Sequence, residues 1–167
     1  LGPDTGPNRE YNIEHSLDVM EDILGERPDE WVSPNFLAQQ HTSLSLVSSL
    51  NITTSGDQRL GFLPFHAVSP KTGERFSYIQ LPTLEWYEEE DYLLTALEHH
   101  TPRSIKNVVD FYYKEGALIN VYGHVKEENV PKTRILLDAV QEKESVWYAV
   151  PDELYAYWTL HEKIRLE

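Results

Sequence analysis

Cysteine is absent from this 167-residue chain. That excludes disulfides, thiolate metal sites and a cysteine nucleophile, and it leaves the compartment in which the protein works open. Positive charge is scarce as well. Fourteen Lys and Arg stand against 28 Asp and Glu, a formal net charge of −14, so long-range attraction to nucleic-acid phosphates or anionic lipid is not expected. No apolar run approaches the roughly 18 residues that span a bilayer, and the opening LGPDTGPNRE has neither the basic end nor the apolar centre of a signal peptide. The sequence contains no Gly-rich phosphate loop, no Gly-x-Ser-x-Gly elbow and no His-Glu-x-x-His helix. Internal repeats and low-complexity tracts are also missing.

What remains is 40% apolar and 25% charged residues, a balance that builds a packed core, over a length that suits a single domain spanning 1–167. Ile13, Leu17, Met20 and Leu24 recur at helical spacing and Gly25 follows, which predicts a helix over 12–24. A short strand is expected at 30–33 before Pro34, a helix at 42–50 and a strand at 52–54. Pro70-Lys71-Thr72-Gly73 between two apolar runs predicts a hairpin, read as an excursion from the fold near residues 61–82. The acidic run Glu88-Glu89-Glu90-Asp91 suits the first turn of a helix bearing Leu93, Ala96 and Leu97. Beyond it, helices at 102–115 and 131–144 alternate with strands at 117–122 and 146–149, and Pro151 opens a last helix. Thr101 would cap the first of these helices and Gly116 stop it. Such alternation signals an α/β fold with parallel strands. A closed barrel needs eight strands and about 250 residues, so the chain is expected to form a small open sheet or part of a barrel.

The strand at 117–122 is apolar except for Asn120 and runs into Tyr122-Gly123-His124. An imidazole just past the carboxyl end of a buried strand stands where α/β folds keep their chemistry, although a histidine in a polar turn has the same appearance. Trp31, Phe65, Trp86 and Tyr122 offer flat apolar faces for a sugar ring or for the core. His99 and His100 diverge by about 100° on any helix and make no metal pair. His41 and His66 have no partner at ligand spacing.

Three stretches, in order, resemble the polysaccharide deacetylase family, the NodB-homology carbohydrate esterases. Ile23-Leu24-Gly25-Glu26-Arg27-Pro28 with Glu30-Trp31-Val32-Ser33-Pro34 is similar to its third motif; Leu81-Pro82-Thr83-Leu84-Glu85-Trp86-Tyr87, with the acids to Asp91, is similar to its fourth; Leu118 to His124 is similar to its fifth. The resemblance covers most of residues 13–160 and matches the later half of that domain. It implies part of a (β/α) barrel of the polysaccharide-deacetylase type and the C-terminal part of a larger deacetylase-like domain. The implied chemistry is removal of N-acetyl groups from a carbohydrate polymer. In that reading His124 is the proton donor, Asp91 or a neighbouring acid tunes it, and Trp31, Ser33, Pro34 and Tyr122 contact the sugar. A divalent metal such as zinc is implied too.

The departures bear on that metal. The family's Thr-Phe-Asp-Asp and His-Ser/Thr-x-x-x-His stretches do not occur, the position four after His15 is Val19, and Val32 stands where the third motif has Arg. No metal ligand is therefore assigned in this chain. The expectation is a hydrolase part that is inactive alone, with a catalytically inactive glycan- or protein-binding module of the same fold as the alternative. Unpaired sheet edges are expected to drive self-association or pairing with an upstream half.

Overall fold

A computed structural model describes residues 7–32, 41–58, 61–87, 90–94 and 102–164. Helix α1 (Pro7–Leu24) precedes strand β1 (Glu30–Trp31), helix α2 (His41–Ser49) and strands β2 (Thr54–Gln58), β3 (Phe65–Val68), β4 (Arg75–Pro82), β5 (Leu84–Trp86), β6 (Tyr92–Leu94) and β7 (Pro102–Ser104). Helix α3 (Ile105–Lys114), strand β8 (Val121–Tyr122) and helices α4 (Asn129–Gln141) and α5 (Pro151–Lys163) complete it. Among the described residues no helix is long and apolar enough to cross a membrane.

The strands form two four-stranded sheets, ordered β1-β2-β4-β3 and β7-β6-β5-β8, and the described residues close no barrel. In the first sheet β1, β2 and β4 are parallel and β3 is antiparallel. In the second, β5 and β8 are parallel, and β6 is antiparallel to both of its neighbours, β5 and β7. Only Thr83 separates β4 from β5, and its buried hydroxyl is a junction. Thr83 Oγ1 lies 3.2 Å from the Gly56 carbonyl and 3.0 Å from that of Leu81, and it accepts from Asn120 Nδ2 at 3.1 Å. One residue thus ties β2, the β4–β5 bend and the approach to β8.

Two apolar clusters flank this junction. Leu17, Leu44, Val47, Leu50, Ile52, Phe76 and Tyr78 unite α1 and α2 with the first sheet; Leu84, Leu93, Val108, Val109, Tyr112 and Val140 unite α3 and α4 with the second. Helix α3 carries the expected buried face, Ile105, Val108, Val109 and Tyr112. Its end is as the glycine predicts: Gly116 has φ +63°, its N–H donates to Tyr113 O at 3.1 Å, and Ala117 N donates to Tyr112 O at 2.8 Å.

Several expectations are corrected. The hairpin is present, but β4 is no excursion: it lies between β2 and β3 with Tyr78 and Ile79 at 1% and 0% exposure. The acidic run does not lead into a helix through Leu93, because Tyr92–Leu94 is a strand paired on both sides, and its burial outweighs local helix preference. Residues 88–89 and 95–101, including Thr101, Ala96 and Leu97, lie outside the described residues. Pro102 belongs to the edge strand β7, where its missing N–H costs nothing, and Ser104 caps α3 by accepting from Asn107 N. The strand expected at 52–54 is displaced to Thr54–Gln58, and 146–149 forms no strand with any of the described residues.

Candidate functional site

Parallel pairing brings the carboxyl ends of β5 and β8 together at one end of the second sheet. The register Leu84↔Val121 and Glu85↔Tyr122 sets Trp86 beside Gly123. The fit is close: a Cβ built on Gly123 would stand 2.6 Å from Trp86 Nε1 and 3.3 Å from its Cγ. His124 follows at once. Its side chain is exposed, its ring meets Tyr122 edge-on at 6.0 Å with 64° between planes, and its carbonyl accepts from Asn129 Nδ2 at 2.8 Å. Three residues further along α4, buried Lys132 donates to the Tyr87 carbonyl at 2.5 Å. The first turn of α4 therefore braces both the β5 exit and the β8 exit.

Asp91 stands at the same end, just before β6, but on the far side of β5. Since β6 and β8 flank β5, their backbones lie about two strand spacings, roughly 10 Å, apart. No hydrogen bond or ion pair joins Asp91 to His124; the Asp91 carbonyl instead accepts from Ile105 N at 2.6 Å, where α3 begins. Glu90 is exposed. Glu88 and Glu89 are outside the described residues.

Trp31 ends β1 half-buried against the first core cluster, with its indole N–H buried and unpartnered. Ser33 and Pro34 lie outside the described residues. At the neighbouring strand end, β2 places Asp57 at 2% exposure, with the Ser55 hydroxyl donating to its Oδ2 at 2.9 Å. Tyr78 lies on the adjacent strand, and burial first, then the Asp57 charge, drive its phenol far above its ordinary range while Gln80 acts the other way. Sequence reasoning missed Asp57 and Lys132. Ser-x-Asp directly after Ile52-Thr53-Thr54 was the available signal for the first, because an acid in a β-run must find partners; Lys132 offered none, since lysines in a first helical turn are ordinarily solvated.

The histidines do not converge. His15 is exposed and stacks on Tyr11 at 5.8 Å; His66 is engaged by Phe76 O and Glu162; His99 and His100 are outside the described residues, and of His41 only its place in α2 is described. Among the described residues no three His, Asp or Glu side chains come together to hold a metal ion. They do not fit the zinc that the resemblance implies.

No protein-family model and no curated protein matches the sequence. The solved structures are more informative. The fold is similar to that of PuuE allantoinase. The TM-score is 0.68 at 13% identity, over 97% of this chain and 56% of that one. PuuE allantoinase has the NodB-like polysaccharide-deacetylase fold, so the expected fold relation holds at that level. At this identity the likeness to the allantoinase concerns the fold alone, and the chain spans little more than half of its length.

Proposed function

We propose that the chain is the C-terminal part of a polysaccharide-deacetylase-like hydrolase acting on N-acetyl groups of a carbohydrate polymer. The observation that carries this reading is the position of His124, with an exposed ring immediately past the carboxyl end of β8, its backbone held by Asn129 and its neighbour Gly123 packed on Trp86. An imidazole there can serve as general acid, giving a proton to the amine that leaves as the amide bond breaks. Tyr122 and Trp31 are the aromatic faces on which a sugar ring would rest, with Ser33 and Pro34 following Trp31 in the chain. Asp91, across β5, would act on His124 through space rather than by a hydrogen bond.

In the intact protein that contains this domain, His124→Gln is expected to lower acetate release from an N-acetylated oligosaccharide by roughly 10² to 10⁴, with little change in stability. Unchanged release would return His124 to a structural role and remove the hydrolase reading. The second reading, a glycan- or protein-binding module without catalysis, is favoured by the absence of a three-ligand cluster among the described residues. Saturable oligosaccharide binding with no acetate release from the intact protein would select it.

A further inference from the structure

The environment of His66 has a consequence unrelated to the strand ends. Its ring is nearly buried, at 10% side-chain exposure, and both nitrogens face acceptors. Nδ1 lies 2.9 Å from the Phe76 carbonyl and Nε2 lies 3.1 Å from Glu162 Oε2. A carbonyl can only accept. Glu162 is also confined to accepting, because Arg75 Nη2 contacts both its oxygens at 2.5 Å. Burial pushes the Glu162 carboxyl up, but the Arg75 hydrogen bond and the charges of His66 and Arg75 outweigh it and hold the group below the ordinary range. Two acceptors require two N–H donors, and an imidazole has two only when it is protonated.

We propose that His66 is a pH-sensitive latch that fastens α5 to the β3–β4 hairpin, closed while both ring nitrogens carry protons and released when one is lost. Helix α5 is docked only shallowly, on the half-buried Leu154, Tyr155, Trp158 and Thr159. None of its residues is fully buried, and Tyr157, Leu160 and the following Ile164 are exposed. At its other end Asp152 meets Asp29 and Glu26, with Glu30 nearby, so like charges oppose docking there at neutral pH. The groups facing His66 are Arg75 from β4 and Glu162 from α5; on α5, His161 and Lys163 flank Glu162, and the His161 ring stacks on Trp158 at 6.1 Å. The Arg75–Glu162 pair is substantially exposed, and such pairs contribute little by themselves. Losing the proton turns one of the two His66 contacts into acceptor against acceptor. Because α5 packs against β2, release uncovers the strand that carries Ser55 and Asp57.

The test uses the 167-residue chain and NMR. Amide protection factors of residues 151–163, referred to those of α3, should fall on the order of tenfold between pH 6 and pH 8, in step with the titration of the His66 ring and with a shift of the Trp158 indole N–H. In His66→Gln and in Glu162→Gln the ratio should become independent of pH over that range. The proposal is overturned by an unchanged ratio in the parent chain, or by a pH dependence that survives in His66→Gln and so belongs to the Asp29–Asp152 contact. Should His66→Gln fail to fold, Glu162→Gln on the surface helix decides alone: pH dependence lost supports the latch, pH dependence retained refutes it.

Discussion

Replacing Gly123 by alanine places a methyl group where Trp86 already is. The built Cβ is 2.6 Å from Nε1 and 3.3 Å from Cγ, and closer still to Cδ1, whereas unstrained contacts between such atoms start at about 3.5 Å. Either the indole or the 122–124 segment must therefore move by on the order of 1 Å. Gly123 is not among the residues with positive φ, so the demand is for space and not for a left-handed backbone. Overpacking of this kind costs about 1–3 kcal/mol. With a urea dependence of about 2 kcal/mol per molar, the unfolding midpoint should drop by roughly 0.5–1.5 M. The half-buried indole should report the displacement through its fluorescence. A double-mutant cycle isolates the contact: in a Trp86→Ala background the obstacle is gone, so Gly123→Ala should cost less than about 0.5 kcal/mol there. Equal cost in both backgrounds, or a loss below about 0.5 kcal/mol with unchanged fluorescence in the single variant, would refute the close approach of the β5 and β8 ends.

Three further outcomes are expected. Thr83→Val preserves shape but leaves Asn120 Nδ2 without its acceptor, so chemical denaturation should show a loss of about 1–3 kcal/mol, much of it recovered in Thr83→Val/Asn120→Leu; an additive double variant would discount the junction. Asp152 has its pKa raised, first by burial and then by Asp29 and Glu26, so its charge opposes folding above that pKa and the opposition fades as pH falls through it. Asp152→Asn should thus raise Tm by about 1–3 °C at pH 7, partly offset by losing an acid at a helix start, with the difference vanishing near pH 3; a lower Tm at pH 7 contradicts this. Calorimetry of the 167-residue chain with Zn²⁺ should give binding no tighter than about millimolar, and a stoichiometric micromolar isotherm would mean that ligands converge after all.

Local chemistry in the sequence determined much of the helical framework. The spacing of Ile105, Val108, Val109 and Tyr112 defines the buried face of α3, Gly116 its end, and Pro151 the start of α5, because each depends on residues within a turn or two. The hairpin at Pro70–Gly73 and the His124 position past an apolar strand were legible for the same reason. Tertiary structure alone decided the partners. Nothing near Phe76–Leu81 indicates that this run is the middle of a sheet rather than an excursion, since its ladder partners, 54–58 and 65–68, act through pairing and not through local preference. Tyr92–Leu94 is likewise a strand only because β5 and β7 flank it. The same pairing separates Asp91 from His124 by the width of β5, buries Asp57 beside Ser55 and turns Lys132 onto the Tyr87 carbonyl. Periodicity records which residues leave water; which groups they then meet depends on strands brought together from distant parts of the chain.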